Sequence, residues 1–275
     1  MPALRRFVRG NITWHSDPEL IADGVLIAFS ERTGGRSAPP FATLNISDRV
    51  GDDPVAVAEN RRLLMGTLGL DPETQSRLHW CIQTHGTRVA RIDEPLEDPV
   101  LPDTDALITA TPGIPLLVCV ADCVPVILVA HGPRRALAVV HSGWKGTLAR
   151  IAAAAVTALR EAYDIDPTDL SAYIGPYIGP ESFEIAPEVA ARFAAEFPDV
   201  AQTPGEGDTI RLDLGEAVTR TLIDSGLPQD QIAILGEDTV ENRTLFFSYR
   251  ASGGTTGRQA ALACLLAKEG EPDHG

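Results

Sequence analysis

Two short apolar runs in the middle of the chain predict a pair of neighbouring strands. Residues 124–130 and 136–140 are rich in Val, Ile and Leu, and the polar segment 131–135 between them is typical of a turn. If the two strands are antiparallel, the start of the first lies beside the end of the second. Cys123 and His141 would then meet at the same edge of a sheet.

The rest of the chain alternates between strand-like and helix-like segments, which is typical of an α/β fold. Asp53 and Pro54 mark one helix start, because Asp caps helices and Pro suits the first helical position. We predict strands over 24–30, 78–84, 106–109, 171–175, 209–212, 232–235 and 245–249, and helices over 54–68, 148–163, 187–197, 214–225 and 256–268. No repeat or break in composition divides the chain, so we expect a single domain over 1–275 with mixed β-sheets flanked by helices.

Three residues with metal-binding side chains lie at the ends of these strands. His85 follows strand 78–84, while Cys123 and His141 flank the central pair. Two imidazoles and one thiolate would occupy three positions around zinc and leave the fourth open, as catalytic zinc sites do. The same residue types suit a thiolate nucleophile with a histidine base, and a cysteine among apolar residues is often only buried. Spacing alone leaves these interpretations open.

Two aspartates lie close to these residues in the sequence. Asp122 stands inside an apolar tract, where an unpaired carboxylate costs several kcal/mol, so it must be hydrogen-bonded. It would either accept bonds from backbone donors or orient a histidine that binds metal. Asp105 precedes strand 106–109, where a cap or turn residue without a catalytic part is the simpler interpretation.

Composition narrows the class of protein. The chain has 275 residues, 44% of them hydrophobic, and a net charge of −15, which argues against nucleic acid as a partner. Four cysteines in a chain of this length do not make a disulfide scaffold. Residues 1–20 lack the apolar core of a secretory signal, and the apolar tract 114–130 is interrupted by Asp122 and two prolines. We therefore expect a cytoplasmic protein that does not bind membranes.

Several motifs resemble one known family along nearly the whole chain. They are FSERTGG at 29–35, LNISDRVGDDP at 44–54, ENRRLL at 59–64, QTHG at 83–86, DALIT at 105–109, VADCVPV at 120–126, HSGWKGT at 141–147, IGPYIG at 174–179, FFSYR at 246–250 and TGR at 256–258. The family is that of the laccase-domain or multicopper polyphenol oxidoreductase-like proteins, also called the peptidoglycan editing factor family. The resemblance implies a fold similar to that of cytotoxic necrotizing factor deamidases.

The resemblance also implies an activity and a set of site residues. Family members are known as zinc-dependent purine nucleoside phosphorylases that also deaminate adenosine. The expected substrates are phosphate and purine nucleosides (adenosine, inosine or methylthioadenosine), the expected metal is zinc with copper as an alternative, and the expected state is a monomer or homodimer. Carried over by motif, the metal ligands are His85, Cys123 and His141. We also predict Cys123, His141 and Asp122 as catalytic residues, and Asn45, Arg61, Lys145 and Arg250 as substrate-binding residues. The prediction for Lys145 also has a physical basis, because an ammonium group at the start of a helix favours binding of an anion.

The chain departs from the family pattern at four places. Glu31 stands where the family has threonine, and Arg49 stands where it has histidine. Arg250 is followed by the uncharged segment 251–256 instead of a second arginine, and Val240 stands near the place of a usual cysteine. The change at Glu31 puts a substrate contact there in doubt, and if the second arginine of the family binds substrate, we expect the altered loop after Arg250 to change specificity.

Three other functions compete with the phosphorylase. A true multicopper laccase needs many imidazole ligands, and only six histidines and two methionines are present. A metal-free hydrolase would use Cys123 as nucleophile and His141 as base. A non-enzymatic or hydrolytic factor in peptidoglycan precursor editing would use the metal only for stability.

Overall fold

A computed structural model describes residues 1–267 of the chain. The strands are β1 (Arg5–Arg9), β2 (Ile12–Ser16), β3 (Val25–Ser30), β4 (His79–Cys81), β5 (Val89–Arg91), β6 (Val100–Leu101), β7 (Ala106–Thr109), β8 (Leu116–Val120), β9 (Val124–Ala130), β10 (Leu137–Ser142), β11 (Leu170–Ile174), β12 (Glu184–Ile185), β13 (Gln202–Pro204), β14 (Ile210–Leu212), β15 (Ile232–Ile234) and β16 (Gln259–Leu265). The helices are α1 (Pro18–Ala22), α2 (Pro54–Thr67), α3 (Pro72–Ser76), α4 (Trp144–Leu148), α5 (Ile151–Tyr163), α6 (Pro187–Glu196) and α7 (Leu214–Asp224).

These strands form two large mixed sheets and one small sheet. The first sheet has the order β1-β2-β3-β16-β8-β4-β6, the second has the order β15-β11-β9-β10-β7-β5, and the small sheet has the order β12-β14-β13. Both large sheets combine antiparallel pairs with parallel ones, such as β4 with β8 and β5 with β7. The prediction of an α/β fold with mixed sheets and flanking helices is confirmed, and the full extent 1–275 stays a prediction. No helix within residues 1–267 has both the length and the apolar character needed to cross a membrane.

The two large sheets stack face to face, with helices on both outer sides. The core between them contains Phe29 of the first sheet and Ile127 and Tyr173 of the second. Helix α5 packs on the outer face of the second sheet and α2 on the outer face of the first. Because β9 and β10 are covered on both faces, every residue of both strands is buried. This double burial explains why they read as continuous apolar runs rather than as alternating patterns.

Two predicted elements are wrong. The helix expected over 256–268 is strand β16, which pairs with both β3 and β8 within residues 1–267, while Lys268 lies outside the described part. Its sequence, QAALACL, has the alanine content of a helix but is buried throughout, so pairing inside the sheet overrides local preference. The strand expected over 245–249 is a series of turns. There the side chain of Gln259 exchanges hydrogen bonds with the backbone of Phe247 and replaces a neighbouring strand.

Candidate metal centre and pocket

The two sheets bring His85, Cys123 and His141 together. One ligand atom from each residue lies within 4.8 Å of the other two. Cys123 Sγ is 3.7 Å from His85 Nε2. The rings of His85 and His141 meet edge to face, with centroids 4.8 Å apart. The structure thus assembles the three predicted metal ligands at one point.

Their positions follow from strand register. β9 and β10 are antiparallel, as the sequence predicts, and Ser142 pairs with Val124, so Cys123 and His141 lie at the same edge of the second sheet. Cys123 belongs to the short link between β8 of the first sheet and β9 of the second. His85 follows β4 of the first sheet in a left-handed conformation with φ of 61°. The candidate metal centre therefore lies where the two sheets join.

A fully buried carboxylate, Asp105, holds two of the three ligands. Its Oδ1 accepts from the backbone amide of His85 at 2.9 Å and lies 2.8 Å from Nδ1 of the His141 ring. Its Oδ2 accepts from the amide of Gly86 at 2.8 Å. Since Nδ1 of His141 is occupied, Nε2 is the nitrogen left for a metal. The expectation that Asp105 is only a cap or turn residue is therefore wrong.

Asp122, in contrast, contacts neither histidine. Its Oδ1 accepts from the hydroxyl of Thr239 at 2.7 Å, and its Oδ2 accepts from the backbone amide of Arg250 at 2.7 Å. Of the two roles left open by the sequence, the structure shows a structural acceptor that fixes the C-terminal loop on the pocket. The carboxylate that orients a candidate ligand is Asp105.

The charges and hydrogen bonds around Cys123 stabilise its thiolate form. Burial by itself would raise the pKa of Cys123, but the positive charge of His141 and hydrogen bonds from both histidines bring it down to about 6. Burial by itself would lower the pKa of His141, but the charge of Cys123 and the Asp105 hydrogen bond raise it to about 9. Burial also disfavours the Asp105 carboxylate, yet bonds from His141 and the Gly86 amide lower its pKa to about 2. Thiolate is the form of cysteine that binds metals and attacks electrophiles.

Gly143, the residue at the N-terminus of α4, makes room for the three side chains. A Cβ built on Gly143 would overlap the His85 ring and lie 3.0 Å from Cys123 Sγ. Its backbone is in an ordinary extended conformation, with φ of −77° and ψ of 169°, so space and not backbone freedom requires glycine here. Gly143, the first glycine of HSGWKGT, therefore lets α4 approach the candidate metal centre closely.

The centre opens into a pocket of about 540 Å³. One wall is apolar and comes from Trp144, Ile178, Phe183 and Leu214. A second group of lining residues, here called the polar end, consists of Ser47, Asp48, Arg49, Trp80, Cys119 and Arg258. Tyr249 and Arg250 also line the pocket. Pockets of this size hold ligands as large as a nucleoside.

The four predicted substrate-binding residues do not form one group. Asn45 is fully buried, and its amide bonds to backbone and to Asp52, so it lies outside the pocket lining. Arg61 lies behind Trp80, with its guanidinium 4.1 Å from the ring centroid. Lys145 is exposed over Trp144, and its ammonium lies 5.4 Å from that ring.

Only Arg250 of the four lines the pocket. Its guanidinium donates to the carbonyls of Ser182 at 3.4 Å and Glu184 at 3.2 Å, so it ties two loops together. Sequence reasoning missed Arg258 as a pocket cation and Tyr249 as an aromatic wall. The signals for both were the short motifs TGR and FFSYR, in which no periodicity distinguishes pocket from core.

The departures from the family pattern fall in different environments. Glu31 is 1% exposed and lies far from solvent in an ion pair with Arg6 and a contact to His15, outside the pocket lining. Arg49 lines the pocket beside Asp48. Segment 251–256 follows the two pocket residues Tyr249 and Arg250. Val240 packs against the core around the second sheet and lies outside the pocket lining. Of the four changes, Arg49 lines the pocket and segment 251–256 adjoins it.

The donor set fits the metal that the sequence suggested. Two imidazole nitrogens and one low-pKa thiolate are ligands that zinc prefers, and the pocket leaves room for a fourth. Imidazole and thiolate also bind copper, so the donor set admits both ions. Among residues 1–267 this is the one cluster of three or more His, Cys, Asp or Glu side chains arranged to hold an ion. A multicopper centre would need further clusters of imidazoles.

Comparisons with known proteins agree with this fold. Residues 26–266 match the model of a family described as multi-copper polyphenol oxidoreductase laccase, and the chain belongs to this family. It is 37% identical over 244 residues to a purine nucleoside phosphorylase of Streptomyces coelicolor, covering 88% of this chain and 96% of the relative. It is 33% identical over 250 residues to the purine nucleoside phosphorylase YlmD of Geobacillus stearothermophilus, covering 87% of this chain and 89% of the relative.

Solved structures show the same architecture. The crystal structure of YlmD from Geobacillus stearothermophilus superposes with a TM-score of 0.87 at 30% identity, covering 97% of this chain and all of that one, 100%. The Bacillus licheniformis protein YfiH superposes with a TM-score of 0.82 at 32% identity, covering 92% of this chain and 96% of that one.

Proposed function

We propose that the protein is a zinc-dependent purine nucleoside phosphorylase, converting adenosine, inosine or methylthioadenosine and phosphate to free base and ribose 1-phosphate. The observation that carries this proposal is the His85, Cys123 and His141 cluster at the floor of a nucleoside-sized pocket. The names of the relatives support the reaction class. His85, Cys123 and His141 would hold the metal, and when bound it would supply Lewis acidity beside the substrate.

In phosphorolysis a phosphate oxygen forms a bond to C1′ of the sugar while the bond from C1′ to the base nitrogen breaks. The electron pair of that bond leaves with the base, so positive charge grows on the sugar and negative charge on the base. The pocket must therefore hold an anion on one side of the sugar and accept a flat apolar base on the other. Trp144 and Phe183 would bind the base, and the arginines at the polar end would bind the anion.

The chain's own groups would fix this arrangement. Asp105 holds the His141 ring by its Nδ1 and fixes the backbone from which the His85 side chain projects. Cys123 remains a thiolate because His141 lies beside it. Asp122 keeps Arg250 and Thr239 in place at the mouth. We further propose adenosine deamination as a side activity at the same centre, and a cytoplasmic location for the reaction.

A second candidate is a metal-free hydrolase. Asp105, His141 and Cys123 make a carboxylate–imidazole–thiol series, in which Cys123 would attack a carbonyl and His141 would transfer the proton. The two candidates differ in one measurement. A stoichiometry near one bound metal ion per chain after mild purification supports the phosphorylase, whereas full hydrolase activity in metal-free protein supports the alternative.

The proposed reaction is tested by incubating a panel of nucleosides with and without phosphate and separating the products by chromatography. Without phosphate, we expect slow conversion of adenosine to inosine. Added phosphate should divert flux to free base and ribose 1-phosphate, because only phosphorolysis consumes it. A chelator should stop both reactions. Phosphorolysis that resists chelation while deamination does not would contradict a shared metal site.

A further inference from the structure

Positive charge is concentrated at the polar end of the pocket. Two lining arginines, Arg49 and Arg258, and Arg61 beside the lining lie near Asp48 or Cys119 at this end, and Asp122 is a second carboxylate of the pocket lining. The whole chain carries −15, so this end opposes the overall charge. A local cationic end in an acidic protein indicates an anionic ligand.

Arg258 is the cation best placed to touch such a ligand. It is half-buried and lines the pocket, and its Nη1 donates to the carbonyls of Thr256 at 2.9 Å and Gly257 at 3.0 Å. Its Nε and Nη2 have no hydrogen-bond partner among residues 1–267. Burial lowers the pKa of Arg258, and the charges of Cys119, Cys123 and Asp122 offset this only in part. The carbonyls of Thr256 and Gly257 thus hold Nη1 of the Arg258 guanidinium, and its Nε and Nη2 edge is left for a ligand in the pocket.

Arg61 supports this end from behind. Its guanidinium stacks on Trp80, its Nε donates to the carbonyl of Ile46 at 2.8 Å, and it is 9% exposed. Its Nη2 lies 3.4 Å from Asp48 without forming a hydrogen bond. Asp48 therefore lies close to two arginines, Arg49 beside it in the loop and Arg61 on α2, so one carboxylate is shared between two guanidinium groups.

We propose that the polar end is a phosphate subsite, with Arg258 as the direct ligand and Arg61 as a positioning charge behind Trp80. This inference rests on the proposed function, and it assigns phosphate binding in that reaction to Arg258 and Arg61. A planar guanidinium binds two phosphate oxygens at once, which suits the free Nε and Nη2 edge of Arg258. The dianion is either inorganic phosphate or the 5′-phosphate of a nucleotide.

The other two candidate cations are engaged elsewhere. Lys145 is exposed on α4 and outside the pocket lining. Arg250 already donates to the carbonyls of Ser182 and Glu184 and lies over Phe183, with its Cζ 5.8 Å from the ring centroid. Arg258 lines the same pocket as His85, Cys123 and His141, which places the subsite in the pocket that contains the candidate metal centre. A phosphate on Arg258 would therefore lie next to the reacting sugar.

The test is isothermal titration calorimetry of the purified full-length protein, with the metal it carries when isolated, against inorganic phosphate and against adenosine 5′-monophosphate. Arg258→Gln should weaken phosphate binding about tenfold or more, because charged hydrogen bonds are lost. The phosphate affinity of Arg258→Lys should lie between those of the unaltered protein and Arg258→Gln, since lysine keeps the charge but not the planar pair of donors. Arg220→Gln, on α7, makes the same substitution outside the pocket lining and should bind phosphate as the unaltered protein does. Repeating the titration after chelation separates Arg258 from the metal as the phosphate ligand.

The outcomes are distinct. Phosphate binding that survives Arg258→Gln, or that disappears on chelation alone, overturns the subsite. If adenosine 5′-monophosphate competes with phosphate and also depends on Arg258, the subsite holds the substrate's own 5′ group; if it does not compete, the subsite holds free phosphate. Melting curves show whether each variant is folded.

The proposed function can fail separately. Phosphate binding that depends on Arg258 without any phosphorolysis would reject the phosphorylase and keep the subsite. Phosphorolysis with an unchanged phosphate requirement in Arg258→Gln would keep the phosphorylase and reject the subsite.

Discussion

Asp105 Oδ1 and His141 Nδ1 lie 2.8 Å apart, and the same oxygen accepts from the backbone amide of His85. One carboxylate at the start of β7 therefore positions candidate ligands from both large sheets. It is fully buried and has several donors around it, which keeps it ionised and fixed. The geometry of the candidate metal centre depends on this residue as much as on the ligands.

We therefore expect Asp105→Asn to weaken metal binding by about 10- to 100-fold, the range seen when the partner of a ligand histidine is replaced. The amide cannot accept from both the His141 ring and the backbone amides with equal strength. Competition with a chromophoric chelator measures the metal affinity directly. Asp105→Ala should weaken it further.

Asp122→Asn provides the matched control, because Asp122 is a second buried carboxylate that contacts neither histidine. It should lower the melting temperature and leave metal affinity within a few-fold of the original. Equal losses of metal in both variants would mean that general destabilisation, and not the orientation of His141, explains the effect.

Replacing a ligand should remove metal and activity together. We expect Cys123→Ala to bring the bound metal, measured by atomic emission after dialysis, to a small fraction of one ion per chain. The same holds for His85→Ala and His141→Ala. Cys119→Ala is the control, since this thiol also lines the pocket but burial raises its pKa to about 11. Full metal occupancy in Cys123→Ala would falsify the ligand assignment.

Gly143→Ala should disturb the centre without changing any functional group. The new methyl group would overlap the His85 ring and press on Cys123 Sγ, so His85 must move. We expect metal affinity and activity to fall at least tenfold while the fold is kept. Gly146→Ala, one turn along α4, would place its nearest contacts at 3.3 Å and should have a much smaller effect. Similar metal affinities in the two variants would contradict the steric argument.

Glu31 should make stability depend on acid pH. Burial alone would raise its pKa, but hydrogen bonds from His15 and Arg6 outweigh burial and hold the pKa below its ordinary value. A lowered pKa in the folded state gives stability that is present above about pH 4.3, the ordinary glutamate pKa, and is lost as the pH falls through the folded value. We expect Glu31→Gln to cost about 1–3 kcal/mol at pH 7 by urea unfolding, and less below pH 4.

The surface pair Glu59 and Arg62 has the same two-bond geometry and serves as the control for Glu31. Because Arg62 is exposed and 34% of the Glu59 side chain is accessible to solvent, Glu59→Gln should change stability much less than Glu31→Gln at pH 7. If the cost of Glu31→Gln were the same at pH 7 and pH 3.5, the ionised form of Glu31 would not be the source of the stability.

The sequence predicted the parts of this molecule that local pattern controls. The strands around 124–140 were readable because continuous apolar runs of β-branched residues have few other uses. The meeting of Cys123 and His141 followed from antiparallel pairing alone. The class of fold, with mixed sheets and flanking helices, followed from the alternation of segments.

The sequence failed where distant contacts decide. QAALACL has helical composition, and only its place between β3 and β8 makes it a strand. Asp105 looked like a turn residue because its donors, at 84–86 and 141, are remote in the chain. No sequence pattern identifies Arg258 as a pocket cation, because that role depends on which of its N–H groups the surrounding loops leave free.

His85 follows a strand of the first sheet, whereas Cys123 and His141 lie at one edge of the second, so the distance from His85 to the other two depends on the thickness of the core between the sheets. Side chains such as Phe29 and Ile127 fix that thickness, although neither lines the pocket. Close-packed interiors transmit small changes in volume over such distances. Sequence variation in this interior layer is thus constrained by chemistry as well as by folding, and drift there would tune the ion and substrate that the protein accepts without altering a single ligand.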